Sequence, residues 1–285
     1  MNSKMSRRDF GIMAGAAVAG ATFLGNSHAA HAGEFSGKIK KAVKWGMIKE
    51  RLTVEEKFKL LVDLGFDGVE PSVRDIKEAE AFAEASAKTG LPIHGVVNGS
   101  VDDIPGAVDT AKALGATSVL VVAGRVDENH PYDKNYHDTQ ATIREALPYA
   151  AEHETMLLLE NVWNNFLWSP MEMARYIDEI DSPWFGAYFD VGNCVRVGWS
   201  EHWIRILGDR IKKLDIKEYS RQKQNDEGLW QGFQVNIGEG SIDWEAVRAA
   251  LKDINYSGWA TAEVSGGDRT ELAAIADRMD KVLSL

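Results

Sequence analysis

Short apolar runs alternate with longer stretches of helical periodicity along almost the whole chain. The runs are Val43–Ile48 (VKWGMI), Phe66–Glu70 (FDGVE), Pro92–Val97 (PIHGVV), Ser118–Ala123 (SVLVVA), Thr155–Glu160, Gly186–Asp190, Ile211–Lys217 and Trp259–Val264. Their length and their flanking turn residues mark them as strands rather than buried helices. Between them, apolar residues recur at helical spacing. Leu52–Glu56 opens the first helix, with Thr53 and Glu56 at capping-box spacing, and Gly65 ends it. Lys77–Thr89 closes at Gly90 and Asp103–Leu114 at Gly115, both helix-stop signals. Gln140–Glu152, Trp244–Asp253 and a last segment over 268–283 read as further helices. Residues 124–139 (GRVDENHPYDKNYHDT) read as a long loop, of a length that more often serves function than not. Eight strands alternating with helices predict a single-domain α/β fold, a parallel (β/α)8 TIM barrel.

Residues 1–32 stand outside that pattern. Ser6-Arg7-Arg8-Asp9-Phe10 resembles a twin-arginine export signal, and an Ala- and Gly-rich run follows from Phe10 to Leu24. The run is short of the roughly 20 apolar residues of a membrane span, and Ala30-His31-Ala32 fits a cleavage site. The expectation is therefore a signal peptide over 1–32 and a barrel over 33–285. The chain would engage the twin-arginine machinery transiently and work in the periplasm. An uncleaved membrane anchor is the lesser alternative. Export in the folded state suits an enzyme that captures a weakly held ion such as Mn²⁺ before tighter-binding metals compete.

The formal net charge is −11; residues 1–32 contribute +2 (Lys4, Arg7 and Arg8 against Asp9), so the remainder carries −13. A body that acidic repels nucleic acid and anionic membrane surfaces. Cys194 is the one cysteine, so no intramolecular disulfide forms, and it reads as a small buried apolar residue.

Four acids interrupt the apolar runs at their ends: Glu160 in LLLEN, Asp190 in AYFDVGN, Asp215 in KLDIKEY and Glu263 in TAEVSGG. Carboxylates avoid such positions unless their desolvation is compensated, and a hard divalent cation is the simplest compensation. In a closed parallel barrel all four converge on the mouth where active sites lie. For Asp215 the competing role is a salt bridge with Lys213 or Lys217, which strand alternation places on the same side. Glu70 and His94 also end strands and are candidates to face substrate. Trp45 and Trp163 are equally candidates for sugar stacking and for core packing. Arg125 and His130 fall in the long loop, where a solvated surface role is the stronger expectation.

The strings LLLENVW, YFDVGN, KLDIKEYSR, IGEGSIDW and AEVSG resemble the xylose-isomerase-like TIM barrels, a superfamily that includes tagatose and psicose epimerases, hydroxypyruvate isomerase, inosose dehydratase and endonuclease IV. IGEGSIDW is the most diagnostic and fits a loop and helix start. The resemblance implies one divalent ion, Mn²⁺ or Mg²⁺ ahead of Co²⁺ or Zn²⁺, held by Glu160, Asp190, Asp215 and Glu263. Asp215 stands where the family usually has His or Gln. Asn193 replaces a frequent His, Arg221 matches a substrate-contacting Arg, and Phe166 replaces a Glu of the tagatose epimerases. Lys217 or Arg221 would offset the surplus negative charge. The implied activity is sugar isomerisation or epimerisation, with Glu160 and Glu263 moving a proton through an enediolate. Two alternatives stay open: a lyase or hydratase of oxidised keto glycosides or inositols, and a non-catalytic sugar-binding protein. The implied partner is a small-molecule carbohydrate. Relatives commonly form dimers or tetramers, which leaves a homo-oligomer open. The repair endonucleases use a His-rich zinc site; His94, His130, His137, His153 and His202 miss the late-strand positions that would require.

Overall fold

The computed structural model describes residues 33–285; the expected export signal over 1–32 lies outside the described residues. Eight strands order the described chain: β1 (Ile39–Lys44), β2 (Gly68–Glu70), β3 (Val96–Val97), β4 (Ser118–Val121), β5 (Met156–Glu160), β6 (Phe185–Asp190), β7 (Ile211–Ile216) and β8 (Gly258–Ala262). The ladder runs β2-β1-β8-β7-β6-β5-β4-β3, with every pairing parallel. Single bridges, Val69 to Ile93 and Ser72 to Val97, close the seam between β2 and β3. The result is a (β/α)8 TIM barrel, as the alternation predicts.

Helices α1 (Val54–Asp63), α2 (Ala79–Thr89), α3 (Ile104–Leu114), α4 (Tyr132–Glu152), α5 (Pro170–Ile180), α6 (Ser200–Leu207), α7 (Arg221–Glu227), α8 (Trp244–Asp253) and α9 (Arg269–Leu283) fill the connections. Their starts follow side-chain chemistry. Thr53 and Glu56 form the expected reciprocal capping box on α1. Asp103, Ser169, Ser220, Asp243 and Asp268 each accept a backbone N–H at the first turn of α3, α5, α7, α8 and α9. One large apolar cluster lies between sheet and helices, and a smaller one, Leu120, Leu158 and Tyr188, fills part of the barrel interior.

Two boundaries that bear on the site differ from the sequence reading, and β3 is also shorter than the expected Pro92–Val97. The first strand is Ile39–Lys44, and Trp45–Met47 is a 3₁₀ turn after it. Three lysines disguise that strand, yet Lys41 and Lys44 are buried with Ile39, Ala42 and Val43. The long loop is also shorter than expected, because α4 begins at Tyr132. Its first turns are polar but packed: Asn135 donates to the Ala123 carbonyl at 3.1 Å, and the Thr139 and Tyr176 hydroxyls meet at 2.7 Å. Hydrogen bonds to neighbouring elements there replace the apolar stripe that marks a helix in sequence.

Candidate active site

Glu160 and Asp190 are the last residues of β5 and β6, Asp215 is the penultimate residue of β7, and Glu263 directly follows β8. One oxygen of each lies within 4.8 Å of the others. The geometry begins with an irregularity. β6 and β7 pair Ala187 with Ile211 but Tyr188 with Lys213, so Lys212 is skipped and Asp190 stands directly opposite Asp215. Like charges so placed repel, and both acids are fully buried, so the arrangement requires compensating charge.

Two lysines supply part of it. The Lys217 ammonium lies 2.9 Å from Asp190 Oδ2 and 2.9 Å from Glu263 Oε2. The Lys44 ammonium lies 2.9 Å from Asp215 Oδ1 and 2.5 Å from Glu70 Oε2. The salt bridge to Asp215 therefore comes from Lys44 on β1, not from Lys213 or Lys217. Lys213 instead turns into the barrel floor, where it donates to Ser118 Oγ and the His94 carbonyl, both at 2.6 Å.

The remaining lone pairs test whether a cation fits. Asp190 Oδ1 accepts the backbone N–H groups of Gly192 and Asn193 at 2.8 and 2.9 Å, which orients the carboxylate. Asp190 Oδ2, both Asp215 oxygens and Glu263 Oε2 are buried without a hydrogen bond of acceptable geometry. Counting Glu70, which shares Lys44 with Asp215, five carboxylates against two ammoniums leave a formal surplus of three negative charges. Four carboxylates with one oxygen each within 4.8 Å of the others, an Asp215 Oδ2 that no ammonium reaches, and that surplus fit a divalent cation with oxygen ligands.

Burial raises the Glu160 carboxyl well above its usual range, and neighbouring Glu263 reinforces it. Burial likewise raises Asp190 against the opposing pull of Lys217, and raises Asp215 against Lys44. Glu263 goes the other way: burial favours its neutral form, but Lys217 and Lys44 outweigh it and lower the carboxyl. Burial alone would weaken the Lys44 ammonium; Asp215 and Glu70 overturn that and hold it charged.

A cavity of about 490 Å³ opens over the cluster, lined by Glu160, Glu263, Lys217 and Asn193 and by the rings of Trp163, Trp230 and Phe233. Of the four acids, Glu160 and Glu263 line it. Asn193 bridges the site, donating to the Asn161 carbonyl at 2.9 Å while its side-chain oxygen accepts from Lys217 at 3.4 Å. The Trp163 indole donates to the Asn193 carbonyl at 2.7 Å.

The other sequence candidates fall elsewhere. Arg221 donates to the carbonyls of Val195 and Gly198, and its guanidinium covers the Trp199 ring at 5.0 Å, so it braces the loop after β6. Trp45 packs against Phe58 and Phe82 at 5.9 and 4.6 Å. Glu70 lies under the cluster, bonded to Lys44 and the Tyr188 hydroxyl. His94 is deeper still, stacked 4.4 Å from Trp259 with Nε2 3.2 Å from the Thr261 hydroxyl; burial and then Lys213 lower its imidazole well below the usual value. Arg125 and His130 are exposed. Phe166 packs among Tyr132, Tyr136 and Tyr176, and Cys194 is buried.

Sequence reasoning missed Lys44, Trp230 and Phe233. Lys44 shares the inward phase of Ala42 once the strand is placed at Ile39–Lys44. Trp230 and Phe233 sit on a 3₁₀ turn, Leu229–Phe233, in the connection from β7 to α8.

Eight parallel strands with acids gathered at the carboxyl ends of the late ones define a barrel with an active-site mouth. The chain belongs to the xylose isomerase-like TIM barrel family, whose model matches residues 58–282. In sequence it is similar to SgbU of Escherichia coli K12, provisionally named an L-ribulose-5-phosphate 3-epimerase, at 27% identity over 236 residues, 73% of this chain and 82% of SgbU. It is also similar to a 2-oxo-tetronate isomerase of Pectobacterium atrosepticum, at 27% identity over 181 residues, 59% of this chain and 62% of that protein. In fold it is similar to YcjR, the 3-keto-D-glucoside 4-epimerase of E. coli (TM-score 0.71, 17% identity, 87% of this chain and 100% of YcjR). A D-psicose 3-epimerase superposes with a TM-score of 0.70 at 14% identity, over 86% of this chain and 100% of that one.

Proposed function

We propose that the chain is a divalent-metal-dependent sugar epimerase or isomerase that moves a proton at the carbon beside a carbonyl. One observation carries the reading. Among four converging acids, Glu160 and Glu263 also line the cavity, while Asp190 and Asp215 are buried behind them. A two-base proton transfer needs two carboxylates that share both a charge-stabilising centre and access to substrate. The naming of SgbU, the tetronate isomerase and the psicose epimerase as epimerases or isomerases supports the same class.

Glu160, Asp190, Asp215 and Glu263 would hold the cation, with Mn²⁺ or Mg²⁺ suited to an all-oxygen set. When bound, it supplies Lewis-acid polarisation of the substrate carbonyl and electrostatic stabilisation of the enediolate oxygen. Glu160 and Glu263 take and return the proton. Return to the same carbon from the other side gives epimerisation; return to its neighbour gives isomerisation. Lys217 holds Asp190 and Glu263 in place and presents positive charge to the cavity. Trp163, hydrogen-bonded to Asn193, excludes water from one wall.

An unphosphorylated sugar fits this mouth better than a phosphate ester. Barrels of this kind bind phosphate in the loops after the last two strands, at a helix N-terminus. Here the first N–H groups of α9 are taken by the Asp268 carboxylate, at 2.9 Å from Thr270 and 3.1 Å from Glu271. Export through the twin-arginine pathway, proposed from Ser6–Phe10, agrees with a substrate met outside the cytoplasm. Retention of the protein in the cytoplasm when Arg7 and Arg8 are both replaced by Lys would support it.

The direct test is deuterium uptake from D₂O at the α-carbon of keto sugars in the presence of Mn²⁺. Uptake should fall about 100-fold or more in Glu160→Gln and in Glu263→Gln, the scale of a lost general base. Uptake that persists in both variants contradicts the assignment.

A further inference from the structure

We propose that the cavity has two subsites, and that the outer one, walled by Trp163, Trp230 and Phe233, takes a second ring attached to the sugar. The natural substrate is then an oxidised, keto-bearing glycoside, with its keto-sugar ring over the acid cluster and its other ring on the aromatic wall. This rests on the proposed sugar chemistry for the inner subsite; the outer one stands on three separate observations.

The first is size. A hexose has twelve non-hydrogen atoms, and even at the ~30 Å³ a liquid water occupies for each of them it leaves roughly a quarter of the cavity unfilled. Lys217 and Asn193 line the cavity beside Glu160 and Glu263, and the rings of Trp163, Trp230 and Phe233 supply apolar lining for what a single hexose leaves free. The second is exposure. Trp230 is 64% exposed. A large indole left open at the rim of a concave site is the mark of a binding surface rather than of core packing. Its ring centre lies 4.9 Å from that of Trp163, and Phe233 lies 4.8 Å from Trp163 on the same cavity wall.

The third is rigidity. The turn that carries Trp230 is tied down before any ligand arrives. The Tyr219 hydroxyl has its one hydrogen within reach of Gln224 Oε1 at 2.6 Å and of the Leu229 carbonyl at 2.8 Å, and Ser220 N–H donates to the Gly232 carbonyl at 2.8 Å. Gly232 lies so close on the Tyr219 ring that a Cβ there would come within 2.4 Å of it. An exposed indole on a fixed turn loses little entropy when a flat ring stacks on it. The chemistry recognised is a ring with a flat apolar face, which either an aromatic aglycone or a second sugar presents.

Calorimetric titration of the Mn²⁺-supplemented protein with methyl β-D-glucopyranoside, phenyl β-D-glucopyranoside and cellobiose tests this. The second ring should tighten binding roughly three- to tenfold over the methyl glycoside, the scale of one aromatic stacking contact. Trp230→Ala should bring the ratio close to one, and Trp230→Phe should restore most of it. A gain with phenyl glucoside alone assigns an aromatic aglycone, and a gain with cellobiose alone assigns a second sugar. No binding of any ligand, equal affinity for all three, or a gain that survives in Trp230→Ala overturns the outer subsite. Binding requires no proton transfer, so the result is separable from the deuterium test: exchange without a second-ring gain removes the subsite and leaves the epimerase reading, and a gain without exchange does the reverse.

Discussion

Lys44 holds a positive charge between two buried carboxylates, Asp215 and Glu70, with the Tyr188 ring 4.7 Å away. Removing one partner of a buried ion pair strands the other, at about 3–5 kcal/mol. Lys44→Met should therefore lower unfolding free energy by about that amount in urea titration; a change below about 1 kcal/mol would mean the acids ionise independently of it. The acids themselves give a pH signature. Glu160, Asp190 and Asp215 all have raised carboxyls in the folded protein. Between the unfolded value near 4 and their higher folded values, the folded state binds more protons, so they make stability fall as pH rises. Glu263, lowered, contributes in the opposite sense. In EDTA, the difference in Tm between Glu160→Gln and wild type should grow in favour of the variant from pH 4 upward. Saturating Mn²⁺ should reverse it, because a cation binds the deprotonated acids. At this scale the four acids were legible because each breaks an apolar run. Arg221 shows the limit: its position in KLDIKEYSR was legible, but which way its side chain turns depends on the carbonyls of Val195 and Gly198, far off in sequence.

The connection from β7 to α8 is the element that shapes the mouth, and one buried acid organises it. Glu218 accepts the backbone N–H groups of Tyr219, Gly238 and Ile242 and the Trp244 indole N–H, at 2.9 to 3.3 Å. Gly240 passes so close that a Cβ would stand 2.4 Å from Glu218 Oε1. This explains IGEGSIDW physically: Gly238 takes a left-handed φ of 85°, Gly240 makes room, Asp243 caps α8, and Trp244 reaches back to the acid. Glu218→Ala would leave these donors unsatisfied, each worth about 1–3 kcal/mol. Hydrogen exchange should then rise in residues 219–243 well before it rises in β5 or β6. Uniform exchange across the barrel would contradict a local role. The string was legible as a loop and helix start, whereas its single acid partner was not, because Glu218 lies just beyond β7, about twenty residues earlier in the chain. The start of α4 was illegible for a related reason: its polar first turns are held by hydrogen bonds to other elements rather than by an apolar stripe.

Across the whole molecule, the barrel brings together acids separated by a hundred residues, and the sheet order alone explains their meeting. β5 to β8 are consecutive neighbours in the ladder, so their carboxyl ends form one arc, and β1 closes against β8 to carry Lys44 in beside them. The alternation of elements made that much legible, while the charge balance of the mouth depends on the register of β1, which three lysines concealed. A site with surplus negative charge in a folded barrel should bind a cation that the unfolded chain does not, and so be stabilised by it. At about a hundred times its dissociation constant, Mn²⁺ should add about 2.7 kcal/mol to the unfolding free energy. The most direct measurement is an electron paramagnetic resonance titration of EDTA-stripped protein with Mn²⁺. One ion should bind per chain, and Asp190→Asn and Asp215→Asn should each weaken it about tenfold or more. A chain that leaves all the Mn²⁺ free, or binds it equally well in both variants, would contradict the metal centre on which the proposed chemistry rests.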